Sequence, residues 1–349
     1  MALWASCAPG QLPRILPPDL FEPKPSVVAQ TSVAVRLSPN SDDDEDPTVI
    51  MGRDGRFYTA WSSKQQGRVD ILLRGSSDGQ TWSVERKITN DRTEDFYPSL
   101  LQSRDGMFHL VWYRLQRREG KTDIMYSRSK DGRQWSRAET ITDRGMDWAP
   151  SLYEDGQGAV WIVWSSRRMG NREIFAVRSV NSGRRWSTPY QLTQSAEEDD
   201  FPQIIETRGG ERVMAWTRYR SGSRITDFHR DATSEVVVAT SRDGVRWSAP
   251  SAVSPPDPDA RHVDFLPAIF ADHDRRQLYV SWTSNRTGSK GDILVRRIAP
   301  TFSPVLQLTT GESSDYSAKI IPVRPGEYMM VWVSTREGKA DILAQRIRF

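Results

Sequence analysis

The chain of 349 residues has one cysteine, Cys7, which excludes an internal disulfide and any cysteine-based metal site. Histidine is nearly as scarce, with four in all. Apolar runs long enough to cross a bilayer as a helix are missing: the longest are strand-sized, and the mean hydropathy is −0.61. Charge of one sign is missing too. Lys+Arg 48 against Asp+Glu 45 leaves a net +3, too little for a polyanion binder driven by bulk charge. Arginines alternate with acids along the whole chain, so no basic run marks a nucleic-acid partner. Cys7 follows Leu3-Trp4-Ala5-Ser6, a faint likeness to a lipoprotein cleavage site, but the stretch is too short for a signal peptide's apolar core and reads as an ordinary tail. Pro9, Pro13, Pro17, Pro18, Pro23 and Pro25 make residues 1–28 an extended arm.

What the chain does have is aromatic residues: 13 Trp, 10 Tyr and 11 Phe, more than an unfolded chain carries. The tryptophans expose a repeat. Trp61, Trp112, Trp164, Trp216, Trp282 and Trp332 each end an apolar run (FHLVW, AVWIVW, RVMAW, QLYVSW), at separations of 51, 52, 52, 66 and 50 residues. Before most runs stands an acidic-aromatic-proline phrase: DFYP at 95–98, DWAP at 147–150, DDFP at 199–202 and DFLP at 264–267, with DEDP at 44–47 and DYSA at 315–318 in the outer repeats. After each run come a polar loop and a short strand, as in VDILLR, TDIMYS and GDILVR. Four repeats add a hairpin: SSDGQTW, SKDGRQW, SVNSGRRW and SRDGVRW. There the Asp or Asn side chain accepts backbone N–H groups, Gly supplies positive φ, and Trp folds back. These hairpins resemble the Asp-box (BNR) repeat of the sialidase-like propellers, over roughly residues 29–349.

Four strands in about fifty residues, repeated six times, predict an all-β six-bladed β-propeller. The sixth repeat reaches Phe349 after its third strand, so an N-terminal strand at 32–37 is expected to close the last blade and remove an exposed edge. The architecture puts the Asp-box turns on one face. The run-ins to each first strand and the loops after each Trp lie on the other, the candidate face. The run-ins bring Asp46, Asp95, Asp147, Asp200, Asp264 and Asp315 near the central channel. There they either cap turns or form a carboxylate ring for sugar hydroxyls or a cation such as Ca²⁺. No other cofactor is implied. The 66-residue interval carries two insertions, 219–234 and 251–264, that hold His229 and His262. Imidazoles titrating near neutrality suit a pocket wall, and two solvated loop histidines are an equal reading.

Sialidases of this architecture grip the sugar carboxylate with three arginines and use an acid–base Asp and a Tyr nucleophile backed by Glu. By resemblance, Tyr316-Ser317 matches the nucleophile segment, Arg218 one arginine and Arg286, more loosely, a second. Other positions depart. The family's Arg-Ile-Pro is Glu45-Asp46-Pro47, its acid–base Asp falls on Gln65, and its Glu falls on Phe201 beside Asp199 and Asp200. An acidic pair in place of an arginine repels a sialic acid carboxylate. Two readings stay open. One is a propeller recognising glycans or a partner through Asp95, Asp147, Trp148, Asp264, Arg286, His229 and His262. The other is a glycoside hydrolase with an altered site built on Tyr316, Asp200 and Arg218. A protein–protein scaffold is a weaker third. Trp148 is the tryptophan free to stack on a ligand, and the resemblance implies an extracytoplasmic or secreted location.

Overall fold

A computed structural model describes residues 25–28, 32–38, 43–116, 119–143, 146–220, 233–257, 261–288 and 290–349. Among these there is no helix, and hence none able to cross a membrane. The strands form six sheets, each with four antiparallel strands; these run in sequence order in the first five, and in the sixth an N-terminal strand takes the outer place. The innermost strands are Asp43–Met51, Glu94–Gln102, Asp147–Glu154, Glu198–Glu206, Asp264–Asp272 and Asp315–Arg324. Each packs against the next, and the last packs against the first, so the sheets are the blades of a closed six-bladed propeller.

The core lies between the blades. Six apolar clusters fill the six interfaces, including that of the sixth blade with the first, where Trp61 and Leu72 meet Val331, Val333 and Ile342. The middle strands are therefore buried on both faces, which is why they read as unbroken apolar runs. Ala215 faces the fifth blade while its neighbour Trp216 faces the third, the two-residue period of a strand. Closure is as the sequence leads one to expect: Val35 and Arg36 pair antiparallel with Ala344 and Leu343 in the sixth blade. The arm adds a feature not anticipated. Ser26–Val27 pairs in parallel with Leu306–Gln307, giving the fifth blade a fifth strand.

Two repeated devices brace the ring. The hairpin turns have the expected bonding: Asp78 Oδ1 accepts the N–H groups of Gln80 and Thr81 at 2.8 and 2.7 Å, and Gly79 has φ +75°. At the other end of the blades, an Asp three residues before each proline (or before Ala318) is fully buried: Asp44, Asp95, Asp147, Asp199, Asp264 and Asp315. Four of them, Asp44, Asp147, Asp264 and Asp315, accept the indole N–H of the strand-ending tryptophan of their own blade at 2.9–3.0 Å. In five blades an arginine that follows the tryptophan closes on the same carboxylate: Arg114 on Asp95, Arg168 on Asp147, Arg218 on Asp199, Arg286 on Asp264 and Arg336 on Asp315.

Candidate functional site at the channel

Immediately after each of the six buried aspartates, which strap the strand to its tryptophan or arginine, the innermost strand bulges. The ladder slips between Glu45 and Thr48, Phe96 and Ser99, Trp148 and Ser151, Asp200 and Gln203, Phe265 and Ala268, and Tyr316 and Lys319. The residue before each proline, or before Ala318, is left-handed: Asp46, Tyr97, Ala149, Phe201, Leu266 and Ser317 have φ of +48 to +55°. For residues with a Cβ this conformation costs about 1–2 kcal/mol each. Part of that cost is offset by hydroxyls of the preceding blade. Ser62 receives the Tyr97 N–H at 2.9 Å, Ser165 the Phe201 N–H at 3.0 Å, and Thr283 the Ser317 N–H at 3.1 Å.

The bulge decides what reaches the axis. In a regular strand consecutive side chains face opposite ways, whereas a bulge re-aims them. Phe96 and Tyr97, Trp148 and Ala149, and Phe265 and Leu266 accordingly sit in one cluster with Phe201, Tyr113 and Tyr316, drawn from five blades. Tyr97 and Phe201 touch across the channel with ring centroids 5.8 Å apart, and Phe96 stacks on Tyr113 at 5.4 Å. The channel thus has an aromatic floor.

Carboxylates occupy the first bulge position only in the first and fourth blades, which face each other across the ring, and they differ in surroundings. Asp200 is fully buried and satisfied: its Oδ1 accepts the Trp148 indole N–H and the Phe201 N–H, both at 2.9 Å, and its Oδ2 accepts Arg172 at 2.6 Å. Arg172 also reaches Glu198 at 3.1 Å and lies over the Trp148 ring at 5.3 Å. Opposite, Glu45 accepts the Tyr316 hydroxyl at 3.3 Å, and Asp46 accepts Ser62 at 3.4 Å and a backbone bond from Tyr97. Burial first, and then the charge of Glu45, raise the Asp46 carboxyl to about 7, with Lys319 partly opposing. Burial likewise raises Glu45, against the Tyr316 bond. Lys319, whose Nζ is 5.8 Å from the centre of the Tyr97 ring, is lowered by burial to about 8, against the pull of Asp46.

The expected site residues divide accordingly. Tyr316, Trp148 and Asp200 lie on the channel ring. Asp95, Asp147 and Asp264 lie one residue beneath it as buried straps; Arg286 is the cation of Asp264 and Arg218 that of the equivalent Asp199, so neither is a free arginine. The expectation of six equivalent channel aspartates needs correction in two blades. Counted back from the proline, the counterparts of Asp95 are Asp44 and Asp199, and the bulge moves Asp46 and Asp200 up into the channel layer. His262 belongs to the loop before the fifth blade, its Nδ1 3.1 Å from Asp257, and His229 lies outside the described residues. Among the described residues no three His, Cys, Asp or Glu side chains are grouped to hold a metal ion. The sequence placed Asp46 near the channel, in the wrong series, and did not single out Glu45, Tyr97, Tyr113, Arg172 or Lys319 as site residues. Counting from the proline would have found Glu45 and Tyr97 and set Asp46 apart.

No protein-family profile matches the chain, and no curated protein matches it in sequence. Solved structures do match. A protein of unknown function from Dyadobacter fermentans DSM 18053 superposes with a TM-score of 0.72 at 16% identity, over 92% of this chain and 99% of that one. The GH93 alpha-L-arabinofuranosidase of Fusarium graminearum, solved with arabinobiose, gives 0.69 at 15% identity, over 90% and 97%. A Hadza microbial sialidase gives 0.66 at 15% identity, over 90% and 68%. The fold is sialidase-like. Identities this low establish architecture alone.

Proposed function

We propose that the channel face of this sialidase-like propeller is a carbohydrate site for a sugar unit that carries no carboxylate. The observation behind this reading is the bulge layer, with an aromatic floor and, on one wall, a carboxylate pair that no guanidinium neutralises. Aromatic faces pack against the C–H faces of a pyranose or furanose, and carboxylates accept hydrogen bonds from its hydroxyls. Glu45 and Asp46 stand where the sialidase pattern has an arginine, so an anionic sugar meets repulsion there. The arabinobiose complex of the Fusarium graminearum enzyme supports sugar binding on this scaffold. Calorimetric titration with arabino-oligosaccharides, other neutral oligosaccharides and sialyllactose tests the reading. Binding of a neutral glycan without sialyllactose is expected, and tight sialyllactose binding sinks it.

Hydrolysis is a second reading, favoured by one contact. A phenolic nucleophile needs an acidic partner, and the Tyr316 hydroxyl has one in Glu45, supplied by the first blade rather than the fourth. Chromogenic glycosides separate the two readings. Turnover that Tyr316→Phe abolishes establishes catalysis, and glycan binding without turnover leaves recognition alone.

A further inference from the structure

The first blade breaks the charge pattern of the other five. They each place an arginine on the strap aspartate, whereas Trp61 is followed by Ser62-Ser63-Lys64-Gln65, with no arginine. The same blade carries Asp43-Asp44-Glu45-Asp46, two acids more than any other run-in at these positions except that of the fourth blade, Glu198-Asp199-Asp200. In the fourth blade Arg172 and Arg218 neutralise the acids. In the first, the cations in reach are two lysines: Lys64, 3.8 Å from the half-exposed Asp43 and also acting on Glu45, and Lys319, which acts on Asp46. Glu45 therefore faces the channel with a tyrosine hydroxyl as its hydrogen-bond partner and no guanidinium.

An independent observation comes from the floor. The Tyr97 side chain is 6% exposed, and its hydroxyl has no hydrogen-bond partner, although it lies in the fields of Asp46 and Asp200. A buried hydroxyl left unpaired costs about 1–3 kcal/mol unless something binds there. A carboxylate without a guanidinium and a phenol hydroxyl without a partner thus line the same channel, the phenol within the aromatic floor.

We propose that the Glu45–Asp46 wall selects a sugar bearing a free ammonium group, an amino sugar of the glucosamine type. This rests on the carbohydrate reading above and narrows it. The ammonium donates a charge-assisted hydrogen bond to Glu45, the neighbouring aromatic faces of Phe96 and Tyr113 favour a cation, and the sugar ring lies on the floor. Acylating the amine removes the charge and leaves the sugar skeleton.

The test is calorimetric titration at pH 7 with a glucosamine tetrasaccharide, its fully N-acetylated counterpart and a neutral arabino-oligosaccharide. The free amine is expected to bind about tenfold more tightly than the acetylated form. In Glu45→Gln that ratio collapses toward one, and Asp46→Asn gives a second, independent reduction should the first variant fold poorly. Equal affinity for the two forms in the native protein overturns the amino-sugar proposal while leaving the carbohydrate reading standing. A preference that survives both variants places the ammonium elsewhere and also overturns it. Failure of all three oligosaccharides to bind overturns the carbohydrate reading itself.

Discussion

Asp44 and Glu45 are neighbours in the chain and opposites in environment, and the same contrast runs through every blade. The strap layer is uniform: the same residue in six blades, fully buried, and bonded to an indole, a guanidinium or both. The bulge layer one residue on is diverse, with Glu45, Phe96, Trp148, Asp200, Phe265 and Tyr316 at one position and Asp46, Tyr97, Ala149, Phe201, Leu266 and Ser317 at the next. Uniformity with satisfied bonding is what architecture needs. Diversity with unsatisfied groups, held on a rigid and locally strained backbone, is what a site needs. The two layers teach that repeated acids in a propeller must be sorted by their distance to the proline before any is credited with chemistry.

The largest test of the contrast is in the strap. Asp147 receives Trp164 and two bonds from Arg168, both side chains being mostly buried. Asp147→Ala leaves a guanidinium and an indole N–H without their partner, and the expected loss is about 3–5 kcal/mol of unfolding free energy in a urea titration. A loss below about 1 kcal/mol means that the strap carries little load, and the division into architecture and site fails.

In the bulge layer the sign reverses. Asp46 titrates near 7 in the folded protein against an ordinary 3.8, so the folded state holds this proton more tightly than the unfolded chain does. The stabilisation from that proton is complete below the ordinary value and is lost as the pH rises through 7. Above pH 7 the ionised carboxylate is a burden. Asp46→Asn is therefore expected to raise the melting temperature at pH 8 and to change it little at pH 4. The gain is roughly 1–2 kcal/mol, below the full linkage value because Lys319 loses its counter-charge. A variant that melts lower at pH 8 shows that Asp46 is a structural ion-pair member like the straps.

Much of the fold is legible in the sequence because its signals are local and repeated six times. Trp spacing sets the blades, the apolar runs set doubly buried strands, and the arginine-leucine end of the 32–37 segment closes the ring. The site is less legible. The bulge is invisible to hydropathy, so Asp46 and Asp200 look like members of the strap series although they stand one layer above it. The Tyr316–Glu45 contact joins residues from opposite ends of the chain, brought together only by ring closure, and no spacing rule reaches that far. Arg172 and Lys319 lie outside the acidic phrase, one in a loop and one past Ala318, and earn their roles only from the three-dimensional arrangement.

The smallest expected effect separates two residues that the sequence makes equivalent. Thr283 and Thr217 both follow the strand-ending tryptophan of their blade and are both buried. Thr283 Oγ1 receives the N–H of the left-handed Ser317 in the next blade, whereas the Thr217 hydroxyl has no partner. Replacing either by valine keeps the volume and removes the oxygen. Thr283→Val strands a backbone donor at the bulge and is expected to cost about 1–2 kcal/mol. Thr217→Val removes a hydroxyl that is itself unsatisfied, so the change is expected to be neutral or to stabilise by up to about 1 kcal/mol. Urea titration of the two variants side by side reads the difference. Equal losses would mean that the hydroxyl of the preceding blade matters for packing alone, and that the bulge holds its left-handed residue without help from across the blade interface.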